Sequence, residues 1–395
     1  MRRYFLSQLP YGEEEERAVQ RVIQSRWLTM GPRTAKFEKR ISGILDGVFC
    51  SLVSSGTTAL HLALMVLGTG RGDEVILPSL TFVAPANVTV QCGAKCVFAD
   101  IEDIQSPLLS VKEVQRKISP RTRVILPVHY AGFGVDMDGL SRLARKERAR
   151  RKKAGESRPL YIVEDAAHAV GSRDLSGRAL GTIGDLGCFS LFSNKNIATG
   201  EGGIVATSNK SFAGRVVNLR SHGLNRQTWE RHRKGRPEES FLYDMEQPGY
   251  NYRPTEITAE LGLCQLKKLK KINRKKGELY RFALGLVEGI PGILPVFPEP
   301  DRWGLSSCHI LPVLVKDNET RKRAVRELAR AGIQTSHHYR PIHTMTYYRK
   351  KDPGAGRDLG VTGEYAMREI TLPLHTGLSR RDMEHIVRIL KKAVT

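Results

Sequence analysis

Hydrophobic residues in the first two-thirds of the chain form short runs that alternate with amphipathic stretches. Helical spacing of apolar residues over Arg17 to Trp27 predicts an early helix, and further helices are predicted over 59–64, around 87–90 and from Asp138. The apolar runs predict strands at 74–78, 96–100, 124–128, 160–163, 188–191 and 203–207. This alternation predicts a mostly parallel, three-layer α/β domain.

The last third of the chain has a different pattern. A long amphipathic helix is predicted over 257–269, followed by a strand at 310–315 and a helix from Arg321 to Ala331 that ends at Gly332. We therefore expect a large domain at 1–270 and a smaller α+β domain at 271–395.

A lysine and an aspartate stand out as candidate catalytic residues. Lys195 lies in a polar turn followed by the glycine-rich stretch 200–203, and Asp165 ends the apolar run over 160–163. Pyridoxal 5'-phosphate (PLP) chemistry needs this pair, because the lysine amine forms the Schiff base and the aspartate keeps the pyridine nitrogen protonated. The sequence therefore predicts a PLP site.

Other residues fit the same cofactor. The segment 55–58 opens a helix with small residues and suits a phosphate, although ordinary capped helices share this pattern. Ser190 would add a hydroxyl, or is simply a serine at a strand end. Phe82 would stack on the cofactor ring, but a core phenylalanine fits equally well. His168 would lie beside the ring if Asp165 is assigned correctly.

The chain has 395 residues and a net charge of +22. Windows 142–158, 215–236 and 266–277 carry +7, +6 and +7, and so hold +20 of this charge. Attraction to polyanions is one interpretation. We favour solvated helix faces, because no nucleic-acid motif accompanies the basic runs, and we expect no nucleic-acid partner. The most basic stretch, 145–158, is either a helical extension or a mobile loop that alters surface charge or partners.

Other classes of protein are disfavoured. No apolar run has the length of a membrane span, and the N-terminus runs into Glu13–Glu16 instead of a secretory signal. The six cysteines are scattered, which indicates reduced thiols in a cytoplasmic protein and no metal site.

Taken together, the motifs resemble the DegT/StrS family of PLP-dependent nucleotide-sugar aminotransferases. The resemblance covers nearly the full length and is carried by 25–32, 54–60, 164–169, 189–203, 249–259 and 332–343. It implies a PLP-dependent transferase fold of the aspartate aminotransferase type (fold type I). It also implies a homodimer with active sites shared between the subunits.

The resemblance also assigns roles. Lys195 is the Schiff-base lysine and Asp165 the partner of the pyridine nitrogen. The cofactor would further be held by Gly56, Thr57, Phe82, His168, Ser190 and, from the partner subunit, Asn251. The sugar nucleotide would be bound by Thr29, His338, Tyr339 and His343, with Arg220 and Arg226 as weaker candidates for a diphosphate or a carboxylate donor.

The predicted function is transfer of an amino group from glutamate to a keto sugar carried by a nucleotide. The motifs around Asp165 and Lys195 resemble most closely the branch that aminates C4 of UDP-linked 4-keto sugars, for glycan or lipopolysaccharide synthesis. Members that replace the lysine with histidine are dehydratases, so the presence of Lys195 favours transamination. The alternatives are a 3-keto-sugar or amino-cyclitol aminotransferase, or a basic binding protein that retains the fold.

Overall fold

The computed structural model describes residues 3–224 and 243–395, which are arranged around a seven-stranded sheet. The strands are β1 (Phe49–Val53), β2 (Glu74–Pro78), β3 (Lys95–Ala99), β4 (Thr122–Ile125), β5 (Tyr161–Asp165), β6 (Leu186–Ser190) and β7 (Gly203–Thr207). Their spatial order is β1-β7-β6-β5-β4-β2-β3. Strand β7 is antiparallel to both neighbours, and the remaining adjacent strands are parallel. The prediction of a mostly parallel α/β sheet is confirmed.

Helices cover both faces of this sheet. They are α1 (Glu13–Gln24), α2 (Pro32–Ile44), α3 (Gly56–Val66), α4 (Ala84–Gln91), α5 (Val111–Lys117), α6 (Met137–Lys153), α7 (Lys210–Arg220) and α8 (Glu256–Val287). Leu60 and Leu64 of α3 pack with Val163 of β5 in one buried cluster. Phe37 of α2 packs with Phe189 of β6 in another. These two clusters give the predicted three layers.

The C-terminal part contains a three-stranded antiparallel sheet in the order β10-β9-β8. Its elements are β8 (Ile293–Pro295), α9 (Pro300–Trp303), β9 (Leu311–Val315), α10 (Asn318–Arg330), α11 (Thr346–Lys351), α12 (Gly360–Arg368), β10 (Glu369–Leu372) and α13 (Arg380–Val394). Helix α8 continues through the expected boundary at 270, because its apolar face extends to Tyr280 and Val287. The division into two domains therefore stays a prediction, with α8 common to both parts.

Two helices begin earlier than their apolar spacing predicts. Helix α1 begins at Glu13, where four acidic residues in the first turn complement the helix dipole, and it ends at Gln24, before Arg26 at φ 55°. Helix α10 begins at Asn318, because the Asp317 side chain accepts a hydrogen bond from the Thr320 amide at 2.8 Å. In both, polar residues at the first turn set the start.

The basic stretch at 145–158 is a helical extension as far as Lys153. Three of its arginines attach it to the sheet layer. The Arg151 guanidinium, 2% exposed, donates to the carbonyls of Ser119 and Arg158. Arg148 pairs with Asp185 at 2.6 Å, and Arg158 pairs with Asp73 at 2.9 Å. Part of the positive charge therefore supports the fold instead of facing solvent.

Among the residues described, no helix has the length and apolar character that crossing a bilayer requires.

Candidate active site

A cavity of about 390 Å³ lies at the carboxyl ends of the central strands. Of the thirteen predicted site residues that the structure describes, nine line it: Gly56, Thr57, Phe82, Asp165, His168, Ser190, Lys195, His338 and Tyr339. They come from segments almost 300 residues apart. The fold therefore brings together most of the predicted constellation.

Lys195 enters the cavity from the loop between β6 and β7, where its amide donates to the Phe192 carbonyl at 2.8 Å. Burial lowers the pKa of the Lys195 amine to about 8, while the negative charge of Asp165 opposes this shift. Near neutral pH this amine exchanges its proton far more readily than an ordinary lysine.

The two acids that end β5 point to opposite faces, as alternation along a strand requires. Asp165 faces the cavity and accepts a hydrogen bond from the Ala167 amide at 3.0 Å, and burial raises its pKa. Glu164 is fully buried and accepts from three backbone amides of segment 181–184 and from His129 Nε2 at 2.8 Å. Only Asp165 is placed to meet a ligand.

Helix α3 begins at the cavity wall. The Ser55 side chain accepts from the Thr58 amide at 3.1 Å and fixes the first turn. A Cβ at Gly56 would lie 2.8 Å from Ser190 Cβ, so the backbone approaches β6 as closely as a glycine allows. A helix N-terminus with its dipole directed at the cavity suits an anionic group such as phosphate.

Aromatic and imidazole side chains form another wall. Phe82 is 57% exposed, which excludes the core role that the sequence left open. The Ala131 amide donates to His168 Nδ1 at 3.3 Å, so the proton of the neutral ring lies on Nε2, 3.0 Å from the Tyr339 hydroxyl. Burial is the main reason why the pKa of His168 lies well below its usual value.

His338 is held by two polar contacts from β10. Its amide donates to Glu369 Oε2 at 2.9 Å, and its Nδ1 lies 2.7 Å from Thr371 Oγ1. Burial, reinforced by the charge of Lys195, lowers the pKa of His338 to about 3. Burial also raises the pKa of Glu369 to about 8. The His338 ring is therefore neutral at physiological pH.

Four of the described residues that were predicted lie outside the cavity of their own chain, namely Thr29, Arg220, Asn251 and His343. Thr29 and Asn251 are exposed. His343 Nδ1 lies 2.8 Å from the hydroxyl of Ser79, which directly follows β2, and it does not line the cavity. Arg226 falls outside the described residues.

The substrate role expected for Arg220 does not fit its position. Arg220 is 3% exposed, and its guanidinium bonds to Glu38 and to the Leu52 carbonyl, both at 2.6 Å. These contacts tie α7 to β1 and to α2. The structure therefore assigns Arg220 to the fold, because no part of its side chain lines the cavity.

Several neighbours of Lys195 were not predicted. Asn194 and Glu201 line the cavity. Behind Lys195 lies His309, whose Nε2 is 3.5 Å from the Lys195 amine, and Lys276 is buried next to it. Asn194 and Glu201 stand inside the motifs around Lys195, which was the available signal. His309 and Lys276 have no such signal.

The residues present fit pyridoxal 5'-phosphate. The start of α3 would take the phosphate, Phe82 offers an uncovered ring face, and Asp165 offers a carboxylate for the pyridine nitrogen. Within the described part of the chain, Asn194 Oδ1 is buried at this cavity without a hydrogen-bond partner. A polar ligand would satisfy such an atom.

Comparison with known proteins agrees with this geometry. The profile of the DegT/DnrJ/EryC1/StrS aminotransferase family matches residues 10–391. The spore coat polysaccharide biosynthesis protein SpsC of Bacillus subtilis is 33% identical over 395 residues, which cover 98% of this chain and 97% of SpsC.

Solved structures are similar over the whole chain. PseC of Helicobacter pylori, an aminotransferase involved in the biosynthesis of pseudoaminic acid, superposes with a TM-score of 0.87 at 27% identity. The superposition covers 100% of this chain and 99% of PseC. The sugar aminotransferase CalS13 of Micromonospora echinospora gives 0.85 at 27% identity and covers 98% and 99% of the two chains.

Proposed function

The chain belongs to the DegT/DnrJ/EryC1/StrS aminotransferase family, and we propose that it transfers an amino group from glutamate to a nucleotide-linked keto sugar. The enzyme is a PLP-dependent aminotransferase with the fold of that family. SpsC is named for spore coat polysaccharide biosynthesis, and PseC is involved in the biosynthesis of pseudoaminic acid; both support a role in making a surface glycan or lipopolysaccharide.

PLP supplies an electron sink that stabilises negative charge on the carbon bearing the amino group. Lys195 is the base that moves the proton, because its amine has a pKa lowered to about 8 and lies inside the cavity. It takes a proton from the α-carbon of the amino donor, and in the second half-reaction it delivers a proton to the sugar carbon that receives the amino group. Asp165 would keep the pyridine nitrogen protonated, and the start of α3 would hold the phosphate.

The acceptor sugar would contact His338 and Tyr339, which line the cavity from the C-terminal part of the chain. Neutral imidazole and phenol groups are suited to hydrogen bonding with sugar hydroxyls. We assign amination to C4 of a UDP-linked 4-keto sugar. A 3-keto sugar or an amino-cyclitol precursor is the alternative. The observation that carries the proposal is that Lys195, Asp165 and these two residues line one cavity.

The test is an absorbance scan of the purified PLP-loaded protein with glutamate, followed by candidate sugars. We expect the visible band to bleach with glutamate and to return with a UDP-linked 4-keto sugar, with the aminated product identified by mass. Return only with dTDP-linked or 3-keto sugars would replace the acceptor. Bleaching by another amino acid but not by glutamate would replace the donor.

We also propose a homodimer with shared active sites. Asn251 is exposed and does not line the cavity of its own chain, which fits a residue that completes the partner's site. Co-expressed Lys195→Ala and Asn251→Ala chains, each with its own tag, test this. Each mixed dimer would contain one site with both residues intact, so random pairing would restore about a quarter of wild-type activity. If Asn251 acts within its own chain, no mixed dimer would recover.

The proposed location is the cytoplasm, where a reducing environment keeps thiols free. All six cysteines are unpaired, and Cys188, Cys264 and Cys308 are buried. Fractionation of cells that produce the tagged protein would test this, and recovery with the envelope fraction would contradict it.

A further inference from the structure

A buried polar cluster adjoins Lys195, outside the lining of the cavity. It consists of Asn196 at 7% exposure, Lys276 at 5% and His309 at 4%. Asn196 follows Lys195 in the chain, whereas Lys276 comes from α8 and His309 from the segment before β9. Burying two titratable groups and an amide together is costly unless each is hydrogen-bonded.

The hydrogen bonds of this cluster fix the orientation of the Asn196 amide. Its Nδ2 donates to the Ser307 carbonyl at 2.8 Å, and a carbonyl can only accept. Its Oδ1 accepts from Lys276 Nζ at 2.7 Å. Lys276 Nζ also donates to the His309 carbonyl at 2.8 Å. The Ser307 carbonyl and the Lys276 amine therefore fix the same orientation of the Asn196 amide.

The orientation of Asn196 in turn decides the tautomer of His309. The atom 3.2 Å from His309 Nδ1 is Asn196 Oδ1, an acceptor, so Nδ1 must carry the proton. Burial is the largest cause that lowers the pKa of His309 well below its usual value, so the ring is neutral. Its Nε2 then carries a lone pair, 3.5 Å from the Lys195 amine.

We propose that His309 Nε2 is the hydrogen-bond acceptor that holds the Lys195 amine whenever this amine is not joined to the cofactor, and that Asn196 and Lys276 are positioning residues for it. With one N–H directed at His309, the lone pair of the neutral amine is left free to face the cavity, where the proton must be taken. The 3.5 Å contact is at the long end of the hydrogen-bond range, and such contacts often tighten when a site is occupied.

Neighbouring His168 provides an internal contrast. Its ring centroid is 4.3 Å from that of His309, yet its backbone partner places the proton on Nε2, directed at Tyr339. The two neighbouring rings, whose planes are tilted by 41°, thus have opposite tautomers. One presents an acceptor to Lys195, and the other presents a donor to the phenol.

The direct test is ¹⁵N NMR of histidine-labelled full-length protein loaded with pyridoxamine phosphate, in which Lys195 is not joined to the cofactor. The His309 signals are assigned by their loss in His309→Gln. We expect Nδ1 in the protonated range and Nε2 in the unprotonated range. A protonated Nε2 would overturn the proposal, because His309 would then present a donor to the amine. The measurement on wild-type protein requires no variant to be active.

Kinetics of variants give the second readout. His309→Leu removes the acceptor and should lower kcat about three- to tenfold, the effect of one hydrogen bond, with KM for the amino donor unchanged. His309→Gln, which keeps an acceptor, should recover most of kcat. His61→Leu is the matched control, a buried histidine of α3 whose Nδ1 lies 3.0 Å from the Tyr252 hydroxyl and which does not line the cavity. An equal loss in His61→Leu would assign the His309 effect to packing and overturn the proposal.

The proposal rests on the role of Lys195 in the proposed function, and the two fail in different ways. If Lys195→Ala keeps full turnover, the assignment of Lys195 is wrong whatever the tautomer of His309. If Lys195→Ala is inactive and His309 carries its proton on Nε2, the proposed function stands and only the role of His309 is refuted.

Discussion

Substitution of the two adjacent acids at the end of β5 should have opposite consequences, with stability lost at Glu164 and activity lost at Asp165. Glu164 accepts four hydrogen bonds, three from amides of segment 181–184 and one from His129. Glutamine at this position keeps one oxygen and turns an amide NH₂ toward two of those donors. Losing two hydrogen bonds to a buried carboxylate costs about 3–6 kcal/mol. Glu164→Gln should therefore lower the free energy of unfolding by about this amount.

Asp165→Asn is the matched partner. Asparagine retains an oxygen for the single Ala167 amide, so the free energy of unfolding should change by less than about 1 kcal/mol. The carboxylate that faces the cavity is lost, however, and kcat should fall about 10²- to 10³-fold, as when one electrostatic group is removed from an active site.

The assay pairs urea unfolding of the PLP-free proteins, followed by far-ultraviolet circular dichroism, with turnover of the PLP-loaded proteins at saturating donor. The reasoning requires a crossed result, with stability lost in the first variant and activity lost in the second. If Asp165→Asn were the less stable protein, or if Glu164→Gln matched the wild type in urea, the assignment of the two strand faces would be refuted.

Three further predictions follow from the site. Gly56→Ala should weaken PLP binding about tenfold in an absorbance titration, because its Cβ would lie 2.8 Å from Ser190 Cβ. The half-reaction of the aminated enzyme with sugar should slow about tenfold per pH unit below about 8, because Lys195 must be neutral to accept a proton. Arg220→Met should cost about 2–4 kcal/mol of stability in urea, since it removes the ion-pair partner of Glu38, and should leave KM for the sugar unchanged.

Each of these has an outcome that contradicts it. Gly43→Ala in α2, where an added Cβ meets nothing within 4 Å, is the control for Gly56, and equal loss of PLP affinity in both would contradict the close-approach argument. A flat rate between pH 6 and 9 would exclude Lys195 as the base whose pKa is about 8. A raised KM with unchanged stability would return Arg220 to the substrate site.

Residues of the site that belong to local motifs could be predicted from the sequence. Asp165 closes a buried strand, and alternation along that strand separates it from Glu164 without knowledge of the rest of the fold. The glycine-rich turn after Lys195 and the capped start of α3 are equally local. Each depends on a few consecutive residues, and each lines the cavity.

The exposure of a single side chain, in contrast, could not be predicted from a local motif. The sequence left Phe82 between a core position and a cavity wall, because both follow a buried strand. In the structure Phe82 lines the cavity beside Tyr339, whose ring centroid lies 6.2 Å away and which comes from the other end of the chain. No pattern within the first hundred residues contains that information.

Charge was the least predictable property, because periodicity gives no account of partners that are distant in the sequence. Lys276 falls in a run of basic residues on a helix that resembles a solvated face, yet it is buried against Asn196 and the His309 carbonyl. Arg151 and Arg220 are likewise buried in the other two basic windows. A cation can be buried only where acceptors surround it, and those of Lys276 and Arg220 are supplied largely by segments outside the window. Tertiary contacts therefore decide which basic residues of these windows face solvent and which are buried. Lys276 is one of the buried ones, and through Asn196 it connects the basic composition of this chain to the environment of Lys195.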